Sequence, residues 1–244
     1  KKKNYVDISI EVDKGIGSKF DLISIEGNKN TKDYVIIREL DIQKGESYSE
    51  TKIESIPSRL NKLRFFEPVQ KPIYYFNSKD DGVLQINVKE KQTNNFDGII
   101  GYIPGNNEQD GYITGLVNIN LRNIFGTGRA MSFRWQRINR NSQELELKYF
   151  RPYLFGFPIN IQGGLFQKKQ DTIFVQRKLD LYIDILANQN ITIGGILSTE
   201  SVIPTENEFS VFTVYNSNLL SGGMNLKIDT RDDPYSPTKG ILFN

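Results

Sequence analysis

Between Gly82 and Gly105 the sequence GVLQINVKEKQTNNFDGIIGYIPG passes from one kind of β-structure to another with almost no linker. Leu84, Ile86 and Val88 alternate with Gln85, Asn87 and Lys89, the period of a strand with one dry face and one wet face. From Phe96 the alternation resumes and runs to the end of the chain, interrupted by turns but by no helical pattern. This junction predicts a water-soluble α+β unit joined directly to a long series of antiparallel strands.

The segment before the junction predicts the order β-α-α-β-β. Phe20 to Glu26 is a strand closed by the turn pair Gly27-Asn28. Thr31 is the expected N-cap of a short helix over Lys32 to Leu40 that Lys44-Gly45 terminates. Ser49 is the expected N-cap of a second helix. Its first turn holds Glu50, Tyr48 is placed to staple against Ile53, and Ile53, Ile56, Leu60 and Leu63 form its buried stripe. Pro57 removes a backbone donor inside that helix, so a kink or a late start is expected there. Two strands follow, Val69 to Phe76 and Val83 to Lys89. Ahead of the unit, Val6, Ile8, Ile10 and Val12 alternate with Asp7, Ser9 and Glu11 in a pattern like that of Val83 to Lys89. Residues 1–14 read as the last strand of a preceding copy of the same unit, the alternative being a single extra edge strand, with residues 19–92 as the complete unit and 95–244 as the strand series.

Composition excludes several functions. Lys+Arg number 31 against Asp+Glu 29, a net charge of +2, so no basic field points to nucleic acid. With no cysteine and no histidine, disulfides, thiol nucleophiles, Cys/His zinc sites and every histidine-based triad are ruled out for this sequence. No apolar run approaches the roughly 18 residues of a transmembrane helix. A transmembrane barrel escapes that test, because its strands are only about 10 residues long and alternate.

The expected strands are Phe96 to Ile103, Tyr112 to Leu121, Arg129 to Ile138, Gln143 to Phe150, Ile159 to Lys168, Ile173 to Ile185, Asn190 to Ser201 and Leu219 to Asp229, with a ninth starting at Gly240. One face carries residues such as Ile113, Val117, Met131, Phe133, Trp135, Leu147, Leu181 and Ile183; the other carries Asn118, Arg134, Glu144, Glu146, Lys148, Lys178 and Asp180. Alternation alone fits a soluble sandwich, apolar face inward, as well as a membrane barrel, apolar face outward. The turns favour the barrel. Aromatics gather at every second turn, Phe125 in RNIFGTG, Tyr153, Phe155 and Phe157 in RPYLFGFP, and Tyr235 in DTRDDPYSPTKG, as a girdle at one membrane interface requires. These turns belong to the side from which the soluble unit enters, and the longest connection, Val202 to Asn218, belongs to the far side.

Phe20 to Glu90, with IEGNKNT, VIIREL, KGESYS and LRFFEPV, resembles a polypeptide-transport-associated (POTRA) domain. NLRNIFGTGR, LKYFRPYLFG and DTRDDPYSPTKG resemble the early barrel of the BamA/TamA outer-membrane assembly family. The resemblance implies a barrel of roughly sixteen strands, of which this chain holds about the first half; two open edges would then be completed by further chain or by other chains. It further implies a Gram-negative outer-membrane location with the POTRA domain in the periplasm. Implied partners are unfolded outer-membrane clients, periplasmic chaperones or accessory assembly lipoproteins, and membrane lipid. The expected role is non-enzymatic insertion of clients, without a cofactor. A two-partner secretion pore and a barrel anchor for an upstream patatin-like enzyme are the alternatives.

Two constellations stand out. Phe96, Asp97, Gly98, Ile99, Ile100, Gly101 and Tyr102 form a strand with two close glycines and Pro104 at its end, expected to be short, twisted and loosely held, and hence the seam that receives a client strand; the alternative is that the glycines only relieve crowding at a barrel bend. Gly126, Thr127, Gly128 and Arg129, and Asp229, Arg231, Asp232, Asp233 and Pro234, read as periplasmic turn motifs. The first group is not a phosphate loop, since no helix follows it, and the carboxylates of the second read as turn chemistry rather than a cation site.

Overall fold

The computed structural model describes residues 8–11, 17–205, 214–231 and 236–244. Most of the strand expected over Tyr5–Lys14 lies outside the described residues, and residues 8–11 carry no strand.

The first unit consists of β1 (Leu22–Glu26), α1 (Asp33–Leu40), α2 (Glu50–Leu63), β2 (Ile73–Phe76) and β3 (Gly82–Asn87). The sheet order is β1-β3-β2, with β3 parallel to β1 and antiparallel to β2. Both helices contribute to one core. Val35, Ile36 and Leu40 of α1 and Ile53, Ile56 and Leu60 of α2 are buried with Phe20, Phe66, Leu84 and Ile86. Ser49 caps α2 as expected, its hydroxyl accepting from the Lys52 amide. α2 begins at Glu50 and continues through Pro57, so it does not start late. Burial of its apolar stripe offsets the hydrogen bond that the proline removes.

Three local expectations are corrected. Lys32, not Thr31, is the N-cap of α1, because the Thr31 side chain is engaged elsewhere. The helix ends at Leu40 as expected, but Asp41 in the left-handed conformation terminates it rather than Lys44-Gly45. Tyr48 is exposed and stacks with Phe20 and Tyr74 across the sheet edge, where an aromatic ring finds larger partners than Ile53. Truncating the helix stripe should show in stability: Leu60→Ala is expected to cost about 2–5 kcal/mol by urea unfolding, as for a fully buried leucine.

The remaining strands are β4 (Asn95–Ile103), β5 (Tyr112–Ile124), β6 (Arg129–Arg137), β7 (Gln143–Arg151), β8 (Ile159–Gln170), β9 (Phe174–Leu186), β10 (Ile191–Pro204), β11 (Ser217–Asp229) and β12 (Leu242–Phe243). They form one antiparallel meander, each strand paired with its sequence neighbours. The register aligns the apolar residues into rows, such as Ile119–Phe133–Leu147–Leu165–Leu179 and, further along the strands, Ile159–Ile185–Ile193–Leu226. Between β5 and β9 the apolar belt slides along the register: Val117 of β5 stands level with Arg177 of β9, while Leu121, the last of the β5 belt, stands level with Leu181, and the belt of β9 runs on to Ile185. A belt that drifts against the strand direction is level only if the strands are tilted, as they are in a barrel wall.

Exposure separates barrel from sandwich. In β9 the apolar residues Leu179, Leu181, Ile183 and Ile185 are exposed, while Lys178, Asp180, Tyr182 and Asp184 between them are half-buried. β10 repeats the inversion, with Ser198 only 5% exposed on the concave side and Leu197 exposed on the convex side. A soluble sandwich would cover the apolar face with a second sheet. Here that face is turned to the surroundings, as a lipid-facing wall requires. Arginine at Ile183 or Val117 is therefore expected to cost about 2–4 kcal/mol in folding titrations of the full-length protein in liposomes, and far less at Asn118 or Asp180.

Candidate functional site

The two units meet through the turns at one end of the sheet. The β5–β6 turn doubles back through left-handed residues: Asn123, Phe125, Gly126 and Gly128 all have positive φ. Its internal ties are the Asn123 Oδ1, which accepts from the Gly128 amide at 2.9 Å, and the Thr127 hydroxyl, which donates to the Ile124 carbonyl at 2.7 Å. Arg129 pairs with Ile124 as β6 begins. The turn then presses on the segment before α1. The Lys32 amide donates to the Gly126 carbonyl at 2.9 Å, and Asn123 Nδ2 donates to the Thr31 hydroxyl at 2.7 Å. A Cβ on Gly126 would overlap the Asn30 carbonyl, so both its left-handed φ and its lack of side chain are required.

Glu90, on the connection leaving β3, closes this clasp from the other side. Its carboxylate accepts from the Thr31 amide at 2.6 Å and from both nitrogens of Asn30. Partial burial works against its charge, but these hydrogen bonds prevail and hold its pKa below the ordinary 4.5. A depressed carboxylate contributes stability above its unfolded value and loses it as pH falls through its folded value. Protection of the Asn30 and Thr31 amides, taken relative to their intrinsic exchange rates, should accordingly fall as pH drops below about 4.5. In Glu90→Gln the protection should be lower at neutral pH and no longer step with acid.

The other turns at this end also touch the first unit. Arg38 of α1 lies over the Tyr153 ring at 4.4 Å, in the β7–β8 turn, and burial pushes the Tyr153 hydroxyl up to about 12. Gln189, in the β9–β10 turn, donates to Asp41 at 3.1 Å, and Lys62 reaches the Asp229 carbonyl at the end of β11. Between the helices and these turns lies a cavity of about 920 Å³, lined among others by Arg38, Arg59, Lys62, Arg122 and Tyr153. The turns expected on the side of the soluble unit are therefore the ones that contact it. Tyr153 packs into this interface rather than standing in an aromatic girdle with Phe125, Phe155 and Phe157, which are exposed. Tyr235 lies outside the described residues, as do Asp232, Asp233 and Pro234 of the second turn motif. Asp229 receives Arg231 in a two-pronged ion pair, with both N–O distances 2.9 Å.

At the other margin of the sheet, β4 pairs, among the described residues, with β5 alone. The strand is not short: its ladder is unbroken from Asn95, opposite Asn120, to Ile103, opposite Tyr112. The glycines do not interrupt it, because Gly98 and Gly101 stand opposite Val117 and Thr114, where the missing side chains let the strands approach. Phe96, Gly98, Ile100 and Tyr102 share the convex face; Asp97, Ile99 and Gly101 share the concave one, where Asp97 accepts from Asn118 at 3.0 Å. Phe96 is 75% and Ile99 79% exposed, so the edge offers apolar side chains as well as unpaired backbone. Only residues 88–94 separate it from β3.

A family model of the POTRA type, described as a surface antigen variable number repeat, matches residues 18–91, and a model of the Omp85 superfamily domain matches residues 123–244. The chain belongs to the Omp85 superfamily. This Omp85 protein is an outer-membrane protein whose POTRA domain stands in the periplasm, so the clasped turns are periplasmic and the apolar belt is the membrane-facing wall. It is 29% identical over 133 residues to the outer membrane protein assembly factor BamA of Nitratidesulfovibrio vulgaris, a match over 54% of this chain and 16% of the relative. To BamA of Neisseria meningitidis serogroup B it is 26% identical over 170 residues, 68% of this chain and 20% of that one. The chain thus corresponds to a fifth or less of these relatives. In fold it matches the crystal structure of BamA from Haemophilus ducreyi lacking POTRA domains 1-3, with TM-score 0.57 and 20% identity over 93% of this chain and 47% of that one. CdiB from Acinetobacter baumannii matches with TM-score 0.58 and 12% identity, over 86% and 42%.

The clasp was not foreseen from the sequence, although both halves lie in motifs that carried the family resemblance, IEGNKNT and NLRNIFGTGR. A pairing between them leaves no periodic signal. The glycines of the second motif were the accessible hint, since a residue with no side chain marks a close approach as well as a turn.

Proposed function

We propose that this protein assembles or inserts outer-membrane proteins, receiving unfolded β-barrel clients at its POTRA domain and templating them at the open edge of β4. The observation that carries this reading is the placement of β4, the first strand of the sheet, tethered by the short connection 88–94 to the periplasmic domain, and the similarity in sequence to assembly factors supports it. A strand edge recognises any extended chain through its backbone, which suits a receptor for clients of different sequence. The POTRA domain offers a similar feature in β2, which pairs only with β3 and exposes Ile73, Tyr75 and Phe76. The clasp through Thr31, Glu90 and Gly126 fixes the two edges relative to one another, so a client can pass from one to the other over a set distance. Periplasmic chaperones or accessory lipoproteins would deliver the client. No step requires a catalytic group or a cofactor.

The fold is shared with CdiB and does not choose between insertion at the edge and passage through the lumen; the similarity in sequence to assembly factors favours insertion. Single cysteines at Asp97→Cys, Ile99→Cys and Gly101→Cys, placed in the full-length protein, test the choice, since this sequence contains no native thiol. Each should cross-link to a cysteine in the last strand of a stalled client during assembly. If none does, while cysteines at the lumen positions Glu146 or Asp180 trap the client, the protein is a secretion pore instead.

A further inference from the structure

Every acidic residue on β4–β11 faces the concave side, Asp97, Glu144, Glu146, Asp180 and Glu200 among them. On the convex, lipid-facing side of the same strands the charged residues are all cations. Three of these sit at the end away from the POTRA domain, just beyond the apolar belt. Arg137, Gln143 and Lys169 are direct neighbours across β6, β7 and β8, and Arg177 of β9 faces Gln167, one pair along from Lys169. By strand geometry Lys169 and Arg177 are diagonal neighbours about 7–8 Å apart, and Arg137 lies about 10 Å from Lys169. Trp135 and Leu145 occupy the next row toward the membrane.

Arg137 is held in place, its guanidinium donating to the Arg140 carbonyl at 2.9 Å and lying 5.3 Å from the Tyr112 ring. Lys169 and Arg177 have no acidic partner among the described residues. A solvated surface mixes both signs of charge, and hydrocarbon excludes both; a plane of anionic headgroups selects cations alone. We propose that Arg137, Lys169 and Arg177 bind the headgroup of a bis-phosphorylated glycolipid in the outer leaflet. Three cations spread over a backbone span of about 10 Å match the charge of a headgroup that carries two phosphates better than that of one that carries a single phosphate.

The test uses the full-length protein, purified in zwitterionic detergent and titrated with bis-phosphorylated lipid A, mono-phosphorylated lipid A, phosphatidylglycerol or phosphatidylcholine. Native mass spectrometry reads the lipid retained. The double variant Lys169→Gln/Arg177→Gln is compared with Lys168→Gln/Lys178→Gln, which removes the same charge from the lumen side of the same strands. Removing two interfacial cations should weaken lipid A binding roughly ten- to thirty-fold, with the lumen variant close to the unaltered protein. The bis-phosphorylated lipid should also be retained well above the other three. Equal weakening by both variants, or none by the first, overturns the site. Phosphatidylcholine retained as well as lipid A would mean that the cations only extend their stems along the lipid boundary, and equal retention of phosphatidylglycerol would overturn the choice of ligand. None of these outcomes depends on client assembly, so the proposal stands or falls separately from the functional reading.

Discussion

A strand in hydrocarbon has no water to satisfy its backbone, so every N–H and C=O must find a partner strand. Much of this structure follows from that constraint. It makes the meander continuous from β4 to β12, with no helix or irregular segment inserted at membrane depth among the described residues. It dictates alternation, because each strand separates lipid from lumen and must serve both. It also gives the open edge of β4 its significance. Within the sheet the constraint is met by a neighbouring strand, while the outer edge of β4, and that of β11 apart from Ile228 and Asp229, has no partner among the described residues.

An open edge is useful only if it is held at a defined place, and here the periplasmic side provides the hold. The clasp formed by Thr31, Asn123, Gly126 and Glu90 uses hydrogen bonds at 2.6 to 2.9 Å rather than a large apolar interface. Such a contact depends on geometry. It forbids a side chain at Gly126, requires the Glu90 carboxylate to be ionised, and takes Thr31 away from the capping role that its position suggests. The Arg38–Tyr153, Asp41–Gln189 and Lys62–Asp229 contacts distribute the same docking over further turns. Together they bring the POTRA domain against the periplasmic mouth of the sheet while leaving β2 and β4 uncovered at their edges.

Charge is distributed by the same logic. Lumen-facing positions carry both signs because they are solvated, and Glu146 with Lys148 and Lys178 with Asp180 pair along single strands. Lipid-facing positions carry only long cationic side chains, placed at the ends of the apolar belt where their charge can reach the headgroups. The wall therefore has one polarity pattern that meets lipid and another that meets water. The pattern can be assigned to a side only because the strand register is known.

The sequence by itself determined the order β-α-α-β-β, the junction near residue 95 and each strand of the series to within a few residues, since periodicity, caps and turns act between residues close in the chain. It also named both motifs that form the clasp, though not their partnership. Its alternation fitted sandwich and barrel alike and only the aromatic turns favoured the barrel, and it took the glycines of β4 as a weakness, because alternation records that two faces differ but not which of them is covered. Tertiary structure decided those points. The exposure of Leu181 beside the half-buried Asp180 shows which face meets lipid, Val117 and Thr114 opposite Gly98 and Gly101 show why the ladder stays intact, and Asn123 meeting Thr31 across 92 residues shows what joins the two units. Each of these is a contact between residues distant in sequence, for which local propensity carries no information.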